Sequence, residues 1–157
     1  METNLKPSQH IDSLNVLLIG NNPIEMGNIL DNLNRIRSRK VIAEIAFDLK
    51  SIFERLSHFR PQYILIDDNI GKTELRETVD TLTHYRKTKN IPITVLKNSN
   101  YEESGNADVL DYILKKGLSG EALINGLKNS FKFKRTQLYL QKTYKKRKRE
   151  LLRLVGR

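Results

Sequence analysis

Two acids and an amide close an otherwise apolar run, Tyr63-Ile64-Leu65-Ile66-Asp67-Asp68-Asn69-Ile70-Gly71. Carboxylates placed there have two plain uses. Asp-Asp-Asn-x-Gly can be a turn that ends a strand. Alternatively, the acids sit at the lip of a sheet, the edge where open α/β proteins bind their ligands. Lysines end two later apolar runs, Lys97 after Ile93-Thr94-Val95-Leu96 and Lys115-Lys116 after Val109 to Leu114. A third group, Lys145-Lys146-Arg147-Lys148-Arg149, is a block of cations near the C-terminus. What these groups can do depends on which of them a fold brings together.

The apolar pattern supplies that fold. Asn15 to Gly20 reads as a strand closed by a turn, and Pro23 begins a helix with Ile24, Ile29, Leu30, Leu33 and Ile36 at helical spacing. Lys40 to Phe47 is a second strand, and Asp48 caps a helix whose apolar face is Leu49, Ile52, Phe53 and Leu56. The opening run is the third strand. A helix over residues 73–87 follows, with Leu75, Val79, Leu82 and Tyr85 inward. Strand four is Ile93 to Leu96, and a polar segment with room for a short helix leads to strand five, Val109 to Leu114. From Ser119 the pattern is helical, with no proline before the end.

Alternating strands and helices predict a parallel sheet covered on both faces. The ligand edge then gathers Gly20-Asn21-Asn22, Asp67-Asp68-Asn69, Lys97-Asn98-Ser99 and Lys115-Lys116.

A chain of 157 residues has room for one substantial core. It has no cysteine, which excludes disulfides and thiolate metal sites and suits a reducing cytosol. No apolar run reaches the roughly 20 residues that cross a bilayer, and the N-terminus lacks a signal-peptide core. The expectation is a cytoplasmic protein with no membrane role. His10, His58 and His84 show no ligand spacing, and no P-loop, nucleophile elbow or Gly-x-Gly-x-x-Gly is present. Charge is segregated. Residues 1–127 hold 16 Lys/Arg and 17 Asp/Glu, whereas residues 128–157 hold 12 Lys/Arg and the single acid Glu150. A near-neutral body therefore carries a basic appendage.

With these elements in place, residues 14–131 resemble the receiver domain of bacterial two-component response regulators. That resemblance implies a flavodoxin-like (βα)5 fold, a doubly wound parallel five-stranded sheet. It implies that Asp67, in ILIDDNIG, is the phosphoacceptor for a histidine kinase, and that Asp67 and the backbone carbonyl of Asn69 contact Mg²⁺. It implies that Lys115, in DYILKKG, contacts the phosphoryl group and that Tyr112 is the aromatic switch residue.

Four features depart from the pattern. Gly20 and Asn21 stand where receivers carry the acidic pair that holds Mg²⁺. Lys97 stands where they carry Thr or Ser, with Ser99 two positions on. Lys115-Lys116 replaces Lys-Pro, and the segment between strands four and five is about one helical turn short.

Mg²⁺ favours near-octahedral anionic oxygens, so losing two carboxylates predicts weak metal binding. Neutralising the phosphoryl oxygens would fall to Lys115 and Lys97. Lys97 could instead pair with Asp67 and occupy the site, since attraction at 4 Å is about 4 kcal/mol at an intermediate dielectric. The ion pair is the favoured expectation. It describes a pseudo-receiver, not an enzyme, that signals through contact with a protein partner such as a histidine kinase or an output domain.

Simpler readings stay open beside these. Asp67 and Asp68 could be turn acids, Lys97 could extend into solvent, and Tyr112 could be packing. A working phosphoacceptor within a phosphorelay is one alternative function.

Residues 132–157 are expected to form a basic helical tail that extends the last receiver helix towards a partner or a second copy. Nucleic acid is the other candidate for Lys145, Lys146, Arg147, Lys148 and Arg149, with Phe133, Tyr139 and Tyr144 available for stacking. These 26 residues leave no room for a complete helix-turn-helix beyond the receiver. Proteins of this kind often continue into an output domain, so the sequence could be part of a longer chain.

Overall fold

The computed structural model describes residues 13–98 and 111–156. The elements run β1 (Ser13–Ile19), α1 (Pro23–Asn34), β2 (Lys40–Ala46), α2 (Leu49–Leu56), β3 (Tyr63–Asp67), a 3-10 turn (Asp68–Ile70), α3 (Lys72–His84), β4 (Ile93–Lys97), β5 (Asp111–Leu114) and α4 (Gly120–Val155). The short helix expected before strand five, and Val109 and Leu110 of that strand, lie outside the described residues.

All five strands are parallel, in the order β2-β1-β3-β4-β5. The order reverses direction between β1 and β3, which is the switch point of a flavodoxin-like sheet. Alternate side chains go to opposite faces. Leu17, Ile19, Ile64, Ile66, Ile93 and Val95 meet Ile52 and Leu56 of α2 and Val79 and Leu82 of α3. Leu14, Val16, Leu18, Tyr63, Leu65 and Leu96 meet Met26, Ile29 and Leu33 of α1 and Leu123 and Leu127 of α4. Every residue of β3 is buried, as a central doubly covered strand should be. β2 is an edge strand and only Ala46 is buried.

Local chemistry sets the helix starts. The Asn22 side chain accepts from the Ile24 and Glu25 N–H groups, and Pro23 fills the first helical position of α1. Asp48 and Ser51 form a reciprocal capping box on α2. Ser119 accepts from the Ala122 N–H to start α4. Two details differ from the apolar pattern. Ile24 is exposed and Met26 takes its place in the core, because Met26 stands three residues before Ile29 on the buried face whereas Ile24 lies roughly 160° around the helix from Met26. α3 ends at His84, and Tyr85 turns into extended backbone while remaining packed on the core.

α4 is a single helix of 36 residues, about 54 Å long at 1.5 Å per residue. It crosses the expected boundary at residue 131 without a break. Its first third packs on the sheet through Leu123, Gly126, Leu127 and Ser130. There Ser130 joins Tyr63 and Thr94 in a buried cluster of three hydroxyls, with Thr94 Oγ1 and Ser130 Oγ 3.3 Å apart. Beyond it, Phe133, Tyr139, Leu140, Tyr144 and Leu151 are exposed.

A candidate acceptor site filled by a lysine

Asp67 ends β3 at the carboxyl edge of the sheet and is completely buried. Its Oδ1 accepts the Asn69 N–H at 3.0 Å, which ties the acid to the 3-10 turn behind it. Asn69 itself is exposed. Residues of β3 alternate in direction, so Asp67 shares the side of Tyr63 and Leu65 and faces α1.

Lys115 follows β5. Its backbone N–H bonds to the Lys97 carbonyl at 2.8 Å, and Leu118 N–H bonds back to the Lys115 carbonyl at 3.1 Å. Gly117 sits between them at φ 75°, a left-handed conformation that glycine adopts without strain. This tight turn aims the Lys115 side chain inward. Its Nζ is in direct contact with Asp67 Oδ1, is 2.7 Å from Glu25 Oε2 and is 3.6 Å from Asp68 Oδ1. One ammonium therefore faces three carboxylates. The Asn98 N–H donates to Asp68 Oδ2 at 3.3 Å, which holds the third acid in place.

Glu25 is the residue that sequence reasoning missed. It lies in the first turn of α1, where the helix dipole favours an acid. That turn starts at the same sheet edge as Asp67, and this placement was the available signal. Glu25 does not restore the lost acidic pair at its own position. Gly20 is buried there, and a Cβ on it would collide with the Met26 side chain and come within 3.2 Å of the Asp67 Cβ. An apolar methionine thus fills space next to Asp67.

Lys97 is not the partner of Asp67 in this structure. It alternates with Leu96, so it emerges on the α2/α3 side of the sheet while Asp67 faces α1. Its Nζ lies 3.9 Å from the centroid of the Tyr112 ring, a cation–π contact. Tyr112 is half-buried and packs against the core on that side. Lys145, Lys146, Arg147, Lys148 and Arg149 are all exposed on α4, far along the helix from this edge.

Protonation follows from these contacts. Burial pushes the Asp67 carboxyl up. Lys115 pulls against that rise and Glu25 adds to it. The hydrogen bond from Lys115, then that with Asp67, holds Glu25 below the ordinary carboxylate range. Burial alone would lower Lys115, but the bonds to Asp67 and Glu25 outweigh it and raise the ammonium. Lys115 is therefore a fixed positive charge at neutral pH. Asp67 Oδ2 is buried and has no hydrogen-bond partner. A cleft of about 550 Å³ lined by Glu25, Asn28, Asn98, Lys115 and Lys116 opens beside the cluster. Solvent reaches Lys115 and Glu25 from that cleft, while Asp67 lies behind them.

The donor set does not suit Mg²⁺ in this arrangement. An ammonium already stands among the three carboxylates, and a dication there would have to displace it against its own charge. Among the described residues, no three His, Cys, Asp or Glu side chains are placed to hold a metal ion.

No family profile matches the sequence, and no curated protein is significantly similar to it. Solved structures do match. The chemotaxis response regulator CheY4 of Vibrio cholerae is 19% identical, with a TM-score of 0.60 over 76% of this chain and 99% of that one. The receiver domain of a sensor histidine kinase of Pseudomonas aeruginosa, solved with magnesium coordinated in its active-site cleft, is 16% identical, with a TM-score of 0.62 over 76% and 98%. The N-terminal domain of a response regulator/sensory box/GGDEF protein of Carboxydothermus hydrogenoformans is 17% identical, with a TM-score of 0.61 over 79% and 98%. The chain has the receiver-domain fold, and whole receivers fit inside it with part of the chain left over.

Proposed function

We propose that this chain is an atypical receiver that transmits a signal by protein–protein contact, with its acceptor aspartate held by an internal cation. The observation that carries this reading is the Lys115 ammonium seated between Asp67 and Glu25. A phosphoryl group needs an accessible carboxylate and cations free to neutralise the equatorial oxygens. Here the carboxylate is buried and its cation is already bound by two acids. The domain is thereby fixed in one electrostatic state, and Mg²⁺ is not required to reach it. Its role is contact rather than catalysis, and a histidine kinase or an output domain is the partner class that the receiver fold suggests.

A titration with beryllofluoride and Mg²⁺, which together mimic a bound phosphoryl group, tests the reading. Backbone amide resonances of Asn69, Lys97 and Lys115 should stay where they are. Saturable shifts at those residues, abolished in Asp67→Asn, would contradict it.

One observation favours a second reading, a working acceptor: Asp67 Oδ2 has no partner and so keeps an oxygen for attack. In that case Lys115 would have to swing away from Asp67 on phosphorylation, and the same titration would show it.

A further inference from the structure

We propose that the distal part of α4 docks an acidic amphipathic helix of a partner protein along a stripe made by Phe133, Leu140, Tyr144, Leu151 and Val155. The proposal deepens the protein-contact reading and does not depend on whether Asp67 is phosphorylated.

The five stripe residues are each between 55% and 79% exposed. Their spacings of seven, four, seven and four residues keep them within a band of roughly 60° on a helix that turns about 100° per residue. Arg135, Lys142, Lys145, Lys146, Arg149 and Arg153 fall on the opposite side. Arg147 and Lys148 interrupt the stripe in sequence but flank it on its two sides, where they can reach acids bordering a partner's apolar seam.

Charge and shape select the occupant. Residues 132–157 hold 11 Lys/Arg and one acid, Glu150. A second copy would bring the same excess and repel. The residues that α4 buries on the sheet, Leu123, Gly126, Leu127 and Ser130, centre roughly 60° around the helix from the stripe, with Gly126 nearly in line with it and Leu127 about 110° away. The domain therefore sits on the same side of the helix as the stripe. A flat lipid surface laid on the stripe would run into the domain. A nucleic acid drawn to the cations would lie on the far side and leave the stripe in water. A slender helix fits beside the domain, and acids along its flanks would relieve the like-charge pairs Lys142–Lys146, Lys145–Arg149 and Arg149–Arg153 that strain α4.

The test titrates the full chain against a labelled peptide that copies residues 132–155 with every Lys and Arg changed to Glu. Polyglutamate of equal length and a short DNA duplex are the comparison probes. The peptide should bind at least about tenfold tighter than polyglutamate, and Leu140→Ser with Leu151→Ser should remove most of that advantage. Both leucines are exposed, so an unchanged thermal midpoint will show that the variant is folded. Equal affinity for peptide and polyglutamate would overturn the stripe while leaving protein contact intact. Tighter binding of DNA, indifferent to the two substitutions, would overturn the protein-contact reading as well. A dimer in sedimentation that the substitutions disperse would assign the stripe to a second copy and overturn the proposal.

Discussion

At the sheet edge one ammonium group meets three carboxylates, and along the distal part of α4 ten cations share a single acid. The same kind of side chain thus stands in opposite circumstances. Lys115 is compensated within the domain, largely buried, and held by direct ion pairs that salt screens little. The cations of the distal helix are largely exposed, mutually repulsive and screened within a Debye length of about 8–10 Å. The contrast teaches where a partner is needed. The sheet-edge cation is paired within the domain without a ligand, and the cations of the distal helix are not.

The largest way to break this contrast is to remove the sheet-edge cation. Lys115→Met should cost about 3–5 kcal/mol at neutral pH, read as a lower urea midpoint with an unchanged slope. Adding Asp67→Asn should recover much of the loss, because the stranded buried charge is then gone. The pH dependence has a definite sign. Glu25 is held low in the native domain, so its stabilisation is present above the unfolded carboxylate pKa and is lost as pH falls through the folded value. Asp67 is raised, so its protonated form favours the fold below the unfolded pKa, and that benefit disappears as pH rises through the folded value. Lys115→Met removes the gain at Glu25 and pushes Asp67 higher. Its deficit should therefore be smallest near pH 4 and grow towards pH 7, which urea denaturation across that range will measure.

The joint between the two regions comes next. Thr94→Val removes one hydroxyl from the buried cluster with Tyr63 and Ser130 and should cost about 1 kcal/mol. The loss should appear in thermal unfolding without altering the urea slope.

The smallest effects belong to the distal helix. Deleting residues 132–157 should change the stability of the domain by about 1 kcal/mol or less, since those residues are largely exposed. Like-charge pairs at i, i+4 each cost about 0.2–0.5 kcal/mol, so added salt should raise helical ellipticity in the full chain and not in the deletion variant.

The sequence carried the alternation of strands and helices, the caps at Asn22 and Asp48, and the placement of Asp67 and Lys115 at one edge. Each of these is local or follows from period. Glu25 was not legible because it reads as an ordinary first-turn acid until the edge is assembled. Lys97 was expected to pair with Asp67 because both end a central strand. Strand alternation separates them: β3 residue 67 and β4 residue 96 are in register, so Lys97 leaves on the other face. Counting side-chain parity along the strands would have assigned it to the Tyr112 side. The stripe on α4 was hidden among cations, and an 11-residue repeat of 133, 144 and 155 with 140 and 151 is easily missed when a seven-residue one is sought.

The central claim is that Lys115 keeps Asp67 from acting as an acceptor. Its most direct test is the intact mass of the full chain after incubation with a small phosphodonor and Mg²⁺, beside Asp67→Asn and a receiver that does react. The account predicts no phosphoryl adduct on the native chain. An adduct present in the native chain and missing in Asp67→Asn would show that Lys115 yields, and the account would be wrong.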